Sequence, residues 1–377
     1  MKLDLSFDRE IQLCFLIELR VQKIMAKAAV APPSNREVKM NLLVRALSAT
    51  AICVALTVGA SAQEIQERTI RWGHLNNTDH PVSAGVQKFA EILLAKSGGK
   101  MKIREFAASQ LGNELQQQSA LRGGTQEMLS ASTTSLATVV PEFGLIDFPF
   151  IVKTIEQADA LGTGKFGTSM LDTLPSKGLI GLGYWGLGFR NVTNSTRPIT
   201  KVEDFNGLKL RVIPNPVYLE TFGSFKANPV PMAFGELYSA LETRTVDGEE
   251  NPFTVILSNK FYEVQKYVSA TNHTFTLNII LVSKAFWDKL SPTEQRLMRE
   301  AYEESRGYQK EQTRLQTEKA LSELQAKGMQ YNTVAPEELD RMRKTAQPVV
   351  DKIAANLKPE AVKLFNDELD RIRKDVK

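Results

Sequence analysis

Residues 207–225 read Gly-Leu-Lys-Leu-Arg-Val-Ile-Pro-Asn-Pro-Val-Tyr-Leu-Glu-Thr-Phe-Gly-Ser-Phe. The first seven alternate as a strand, with Leu208, Leu210 and Val212 on one face and Lys209, Arg211 and Ile213 on the other. Val217–Phe225 follows as a helix, so the stretch is half of an α/β unit. Downstream, Pro229–Pro231 is extended, Glu236–Thr243 is helical, and Val246-Asp247 turns into Gly248. Upstream, strands over Thr69–Trp72, Lys102–Phe106 and Met128–Ala131 alternate with helices over Val82–Leu94 and Glu114–Arg122, the latter closed by Gly123-Gly124. Repeats of this length imply parallel or mixed sheets with helices on both faces. Two such sets predict two lobes, with Tyr184–Asn191 as the crossing between them.

The last third is helical. Ser291-Pro292-Thr293-Glu294 is a capping box with proline at the first helical position. The helical pattern then runs to Lys327 before Gly328, long enough to lie across both lobes if unbroken; the alternative is a kink near Gly307. Pro336–Ala355 and Pro359–Lys374 follow as shorter helices whose charges read as solvated faces.

Composition narrows the chemistry. The chain has 377 residues, 42% hydrophobic and 24% charged, with net charge +4, too balanced to argue for nucleic acid. Three histidines and two cysteines count against zinc, haem and Cys/His nucleophiles. Both cysteines, Cys14 and Cys53, precede residue 63. Lys39, Met40 and Arg45, the apolar run Ala46–Ala60 and the triplet Ala60-Ser61-Ala62 read as a signal peptide over 40–62, cut after Ala62. The apolar run is short for a membrane anchor. Residues 1–39 read as an extension from a mis-assigned start, with Met40 the true initiator. The exported product, with no later span or lipid anchor in view, is expected in the periplasm without stable membrane insertion.

Several motifs imitate catalysis. Gly181-Leu-Gly-Tyr-Trp-Gly186 fits a dinucleotide fingerprint, but a strand-like Leu-Gly-Phe-Arg-Asn-Val-Thr follows it where a helix is required. Gly162-Thr-Gly-Lys165 lacks the upstream glycine of a P-loop and reads as a turn. Ser97-Gly-Gly-Lys100 matches S-x-x-K, yet its glycines would break the helix that must align lysine with serine. No nucleophile with its base can be assembled, and no metal or cofactor is called for. What remains is Arg211, late in a strand of an open sheet, where such sheets bind ligands. Its planar fork suits a carboxylate; pairing with a neighbouring acid is the bland alternative. Arg190 lies at the crossing between lobes.

Three segments carry a resemblance: Gly207-Leu-Lys-Leu-Arg-Val-Ile-Pro-Asn-Pro-Val217, Asn228-Pro-Val-Pro-Met-Ala-Phe-Gly-Glu-Leu-Tyr238 and Thr245-Val-Asp-Gly-Glu-Glu-Asn-Pro252. With Ser109-Gln-Leu-Gly112, Phe189–Ile199 and Lys260–Lys266, the chain resembles the DctP-type substrate-binding subunit of tripartite ATP-independent periplasmic (TRAP) transporters over nearly all of 69–330. The resemblance implies an α/β, two-lobed periplasmic binding protein fold with a hinge and a long lobe-spanning C-terminal helix. Lobe I would take 63–187 plus about 277–316, and lobe II 188–276 plus about 317–377. Such proteins close on a small organic acid and deliver it to membrane permease subunits. The family's selectivity arginine falls on Arg211, its second arginine on Arg190, its pocket asparagine on Asn251 and its aromatic contact on Phe234. First-lobe contacts fall near His74–Asn77, Glu114 and Ser132–Thr134, with His74, Asn76, Glu114, Ser132 and Thr133 as the named candidates.

Where sialic-acid-binding relatives carry an acidic residue, this chain has Ser132, which argues against sialic acid. Glu114, Gln117 and the Ser/Thr cluster at 130–135 favour a hydroxylated sugar acid over a plain dicarboxylate; Trp185 or Tyr184 could instead stack on an aromatic acid. The rival readings are a secreted enzyme using Glu114, Glu249 or Glu250 as acid or base, and a ligand-sensing partner of a membrane receptor.

Overall fold

The computed structural model describes residues 65–376; the expected leader and the stretch before it lie outside these residues. Two mixed sheets organise the chain. The first contains β1 (Arg68–His74), β2 (Met101–Phe106), β3 (Met128–Ser132), β4 (Leu179–Phe189) and β10 (Phe275–Ser283), in the order β2-β1-β3-β10-β4. β1 runs parallel to β2 and β3, and β10 is antiparallel to both β3 and β4. Every residue of β10 is buried. Alternation sends Ile280 and Val282 into one apolar cluster and Leu277, Ile279 and Leu281 into another, so the sheet is covered on both faces. One cover is α1 (Pro81–Lys96), which sets Val86, Phe89 and Leu93 against Ile70 and Trp72.

The other cover includes α4 (Ile155–Thr163) and α5 (Lys165–Thr173), placed after α2 (Glu114–Arg122) and α3 (Thr133–Leu136) in the chain. The sequence pattern does not reveal α4 and α5, because glycines interrupt it. Those glycines serve close packing: a Cβ on Gly167 would sit 2.0 Å from the Gly162 carbonyl oxygen. The turn read at 162–165 is the junction of these helices at Gly164.

The second sheet orders its strands β11-β9-β5-β8-β6-β7. These are β5 (Asn191–Asn194), β6 (Lys209–Val212), β7 (Asn228–Pro231), β8 (Gly248–Asn251), β9 (Tyr267–Ala270) and β11 (Gln330–Thr333). Leu208, Leu210 and Val212 all enter one cluster with Phe205, Phe222 and Phe225, as the alternation predicts. β7, with prolines at 229 and 231, is an edge strand, where missing donors are tolerated. Helices α6 (Pro216–Ser224), α7 (Leu237–Glu242) and α8 (Phe253–Ser258) follow β6, β7 and β8 respectively.

Between sheets the chain crosses at Arg190, where β4 gives way to β5, and again over 271–274 between β9 and β10. The Arg190 N–H donates to the Thr274 carbonyl at 2.8 Å, so the crossings run side by side. After α9 (Lys284–Trp287) comes α10 (Pro292–Ala326), begun by the Ser291/Glu294 capping box. Its 35 residues span about 52 Å without a break at Gly307. Leu297, Met298, Ala301 and Tyr302 pack in the first lobe, and Leu324 packs in a cluster of the second. Tyr302 lies so close to β4 that a Cβ on Gly183 (φ +152°) would be 2.2 Å from its hydroxyl. The glycine-rich run at 181–186 is thus part of a strand that a helix crosses closely.

α11 (Pro336–Ala354) continues through Pro348 and buries Met342 and Ala346 in the second lobe. α12 (Pro359–Asp375) departs from the expected division, which gave 317–377 to lobe II. Its Phe365, Leu369 and Ile372 pack in the first-lobe cluster with Phe148 and Phe166. An amphipathic helix goes where its apolar stripe is covered, and the open face lies beside α4 and α5. Phe365→Ala should therefore destabilise the protein by about 3–5 kcal/mol in denaturant unfolding. An unchanged midpoint would contradict this placement.

Candidate functional site

A cavity of about 110 Å³ lies between the two sheets. The first lobe lines it with Leu75 and Asn76 after β1, with Asn113, Glu114 and Leu115 at the start of α2, and with Ser132, Ser135 and Asn278. The second contributes Arg211, Ile213 and Pro214 at the end of β6, then Ala233, Phe234, Asn251 and Val255; Leu187 and Arg190 come from the crossing region. The carboxyl end of β6 is the position at which open sheets present ligand-binding groups.

Arg211 is 2% exposed. Its Nε and Nη2 donate to the Met232 carbonyl at 3.0 and 2.8 Å, holding one edge of the guanidinium. Nη1 is buried with no partner. The end edge, Nη1 plus the second Nη2 hydrogen, is left for a bidentate acceptor. Burial pushes the Arg211 pKa down to about 10, with Glu250 pulling the other way, so it remains charged at neutral pH. Phe234 places its ring centroid 5.9 Å from the Arg211 guanidinium carbon and packs with Val82, Leu187 and Val255.

Arg190 is built differently. Its Nε and Nη2 engage the Glu250 carboxylate, Nη2 also reaching Asn251 Oδ1 at 3.1 Å, and Nη1 donates to Thr276 Oγ1 at 3.2 Å. One Nη1 hydrogen is left to face the cavity. Glu250 also pairs with His273 Nε2 at 3.0 Å, so this arginine braces both crossings. Burial opposes the charge on Glu250, but Arg190 and His273 together hold its carboxyl below the ordinary value. Asn251 lines the cavity with both ends engaged, since its Nδ2 donates to Glu249.

Other acids yield their charge more readily. Burial pushes Asp147 and Glu249 up to about 7, and raises Glu114 despite the Ser132 N–H that donates to it at 2.8 Å. Two guanidiniums thus face one firmly ionised carboxylate, Glu250, and the cavity favours an anion. Among the described residues, Asn76 and Asn278 spend their side-chain amides on no protein hydrogen bond. The sequence reading missed Asn278, although it is the one amide within the apolar run Phe275–Ser283.

Three expected site residues stand outside the cavity. His74 is buried and bonded through Nε2 to Glu105 at 2.9 Å. The Thr133 hydroxyl donates to the Leu277 carbonyl at 3.1 Å. Trp185 is stacked on Trp72 at 5.8 Å inside the first-lobe core. Tyr184 and Gln117 are likewise committed, to the Gly167 carbonyl and to Gly112 and Gln126. His74 and Thr133 each sit beside a lining residue in the sequence, Leu75 and Ser132, but project to the other side of the chain. Among the described residues no cluster of His, Cys, Asp and Glu could hold a metal ion, and no helix is long and apolar enough to cross a membrane.

Residues 72–357 match the family described as bacterial extracellular solute-binding protein, family 7 (DctP). The chain is similar to the sugar acid binding protein DctPAm from Advenella mimigardefordensis strain DPN7T, solved with galactonate, at 39% identity and TM-score 0.80, covering 82% of this chain and 99% of that one. It is 33% identical over 291 residues to the 2,3-diketo-L-gulonate-binding periplasmic protein YiaO of Escherichia coli strain K12, covering 77% of this chain and 88% of that protein. It is 31% identical over 318 residues to the C4-dicarboxylate-binding periplasmic protein DctP of Rhodobacter capsulatus, covering 84% and 94%.

Asp147, which accepts from Thr134 Oγ1 at 2.6 Å and Asn215 Nδ2 at 3.1 Å, gives a pH prediction. Its folded pKa of about 7 exceeds the ordinary 3.8, so its contribution to stability is complete below about 4 and lost as pH rises to 7. Relative to wild type, Asp147→Asn should gain up to about 1.4 kcal/mol per pH unit over that range. Denaturant unfolding at pH 5 and pH 8 checks this; a constant difference between the two proteins would contradict it.

Proposed function

This chain belongs to the DctP family of bacterial extracellular solute-binding proteins, the substrate-binding subunits of TRAP transporters, and from that premise we propose that it captures a hydroxylated monocarboxylate, a sugar acid. Members of this family bind a solute and do not turn it over. The observation that carries the ligand class is the asymmetry of the cavity. The free end edge of Arg211 meets a carboxylate, while the first-lobe wall offers Glu114 with the amides of Asn76 and Asn278. Hydroxyls can donate to Glu114 and accept from the amides. A second carboxylate would meet Glu114 in place of a cation.

The sugar-acid ligands named for two relatives, galactonate and diketogulonate, support this class. A C4-dicarboxylate is the second reading, supported by the R. capsulatus relative and by the Nη1 hydrogen that Arg190 retains. An aromatic acid loses its support because Trp185 and Tyr184 lie in the core. The ligand draws the lobes together through contacts with both, and the closed form delivers it to a membrane permease. Export to the periplasm, with cleavage after Ala62, completes the proposal.

Arg211→Lys tests the clamp. A lysine keeps the charge but cannot hold the Met232 carbonyl and a carboxylate together. Calorimetric titration with galactonate should show at least about 100-fold weaker binding, the cost of breaking a buried charged pair. Undiminished affinity would remove Arg211 from the site. Glu114→Gln should weaken galactonate binding and improve succinate binding; the opposite pattern would favour the dicarboxylate.

A further inference from the structure

The lobes also touch at residues that do not line the cavity. The loop before α1 presents Asn77 and His80, which do not line the cavity. Asn77 Nδ2 donates at 2.8 Å to the carbonyl of Ser258, at the end of α8 in the second lobe. His80 meets Thr254 of the same helix, Nε2 to Oγ1, at 3.1 Å. The tautomer of this ring is set by its other nitrogen. His80 Nδ1 accepts from the Val82 N–H and caps α1, so the proton lies on Nε2 and is donated to Thr254. Burial, with the charge of His74 adding, pushes the His80 pKa down to about 3 and keeps the ring neutral. Thr254 is 3% exposed and His80 1%, so their bond does not compete with solvent, while the Asn77 bond is half-buried. Next to them Val82 of the first lobe packs with Val255 of the second.

We propose that Asn77, His80 and Thr254 form a latch between the lobes, positioning residues that set how much of the protein is closed and hence its affinity for any ligand. The proposal rests on the solute-binding reading. The observed affinity is the intrinsic affinity of the closed site scaled by the fraction that closes. A group that stabilises closure without touching the ligand therefore changes affinity for every ligand by one common factor. A group that touches the ligand changes affinities unequally. The latch is also local to α1 and α8, so its loss leaves the packing of each lobe as it was.

The test combines Asn77→Ala and Thr254→Val, which remove both bonds while sparing the histidine cap of α1. Galactonate, erythronate and succinate are titrated into wild type and the double variant. Every ligand that binds wild type should bind the variant about tenfold more weakly, by the same factor, as expected for two neutral hydrogen bonds. Spin labels, one on each lobe, should show a smaller closed population in the variant. Unchanged affinity, or loss for one ligand alone, would overturn the latch. If wild type binds none of the three, the ligand class fails separately. The latch is then read from the label distances in ligand-free protein, where equal distributions overturn it.

Discussion

A guanidinium held in the interior with three of its five N–H donors unpaired is costly, because burial removes the water that would otherwise solvate them. Arg211 is in that position. The pairing of β6 with β7 carries the chain on to Met232, whose N–H donates to the Val212 carbonyl at 3.2 Å and whose own carbonyl takes the side edge of Arg211. That single acceptor fixes the plane of the fork and directs its remaining edge into the cavity. The three leucine and valine side chains on the opposite face of β6 keep the strand from rotating, since a change of face would bury Arg211 in the Phe205, Phe222 and Phe225 cluster. The anion site is thus a product of strand register, and a carboxylate ligand supplies the partner that the fold withholds.

The second arginine is used differently: Arg190 spends all but one of its donor hydrogens on the protein. Glu250 and Asn251 of β8 and Thr276 of β10 are its partners, and His273 from the second crossing pairs with the same Glu250 carboxylate. Its charge is matched, so it organises the junction of the lobes and offers the cavity little more than one hydrogen. The neighbouring acids behave accordingly. Glu250 stays ionised against its burial, whereas Asp147 and Glu249 take up protons near neutrality. The local balance remains cationic, which suits a ligand bearing one negative charge.

Much of this was legible in the sequence. The strand at 207–213, the capping box at 291–294 and the helix closed at Gly123 obey short-range rules, and the elements lie where those rules put them. Arg211 could be found because alternation separates it from three apolar neighbours. The helices over 155–173 were hidden, since their glycines answer to packing at the Gly162/Gly167 contact. The placement of α12 on the first lobe depends on which distant face stays uncovered, and local pattern carries no such information. At the site, His74 and Thr133 were each one position away from residues that face the cavity, which in a strand or at a helix start reverses the side-chain direction, while Trp185 stands two positions before Leu187 and is claimed by the first-lobe core.

The measurement that bears most directly on the central claim is a head-to-head calorimetric titration of residues 63–377 with galactonate and with succinate under the same buffer conditions. A cavity with one guanidinium edge at one wall and Glu114 at the other should bind galactonate at least about tenfold more tightly, a difference of about 1.4 kcal/mol. Succinate binding as tightly as galactonate, or more tightly, would contradict the asymmetry on which the sugar-acid reading stands.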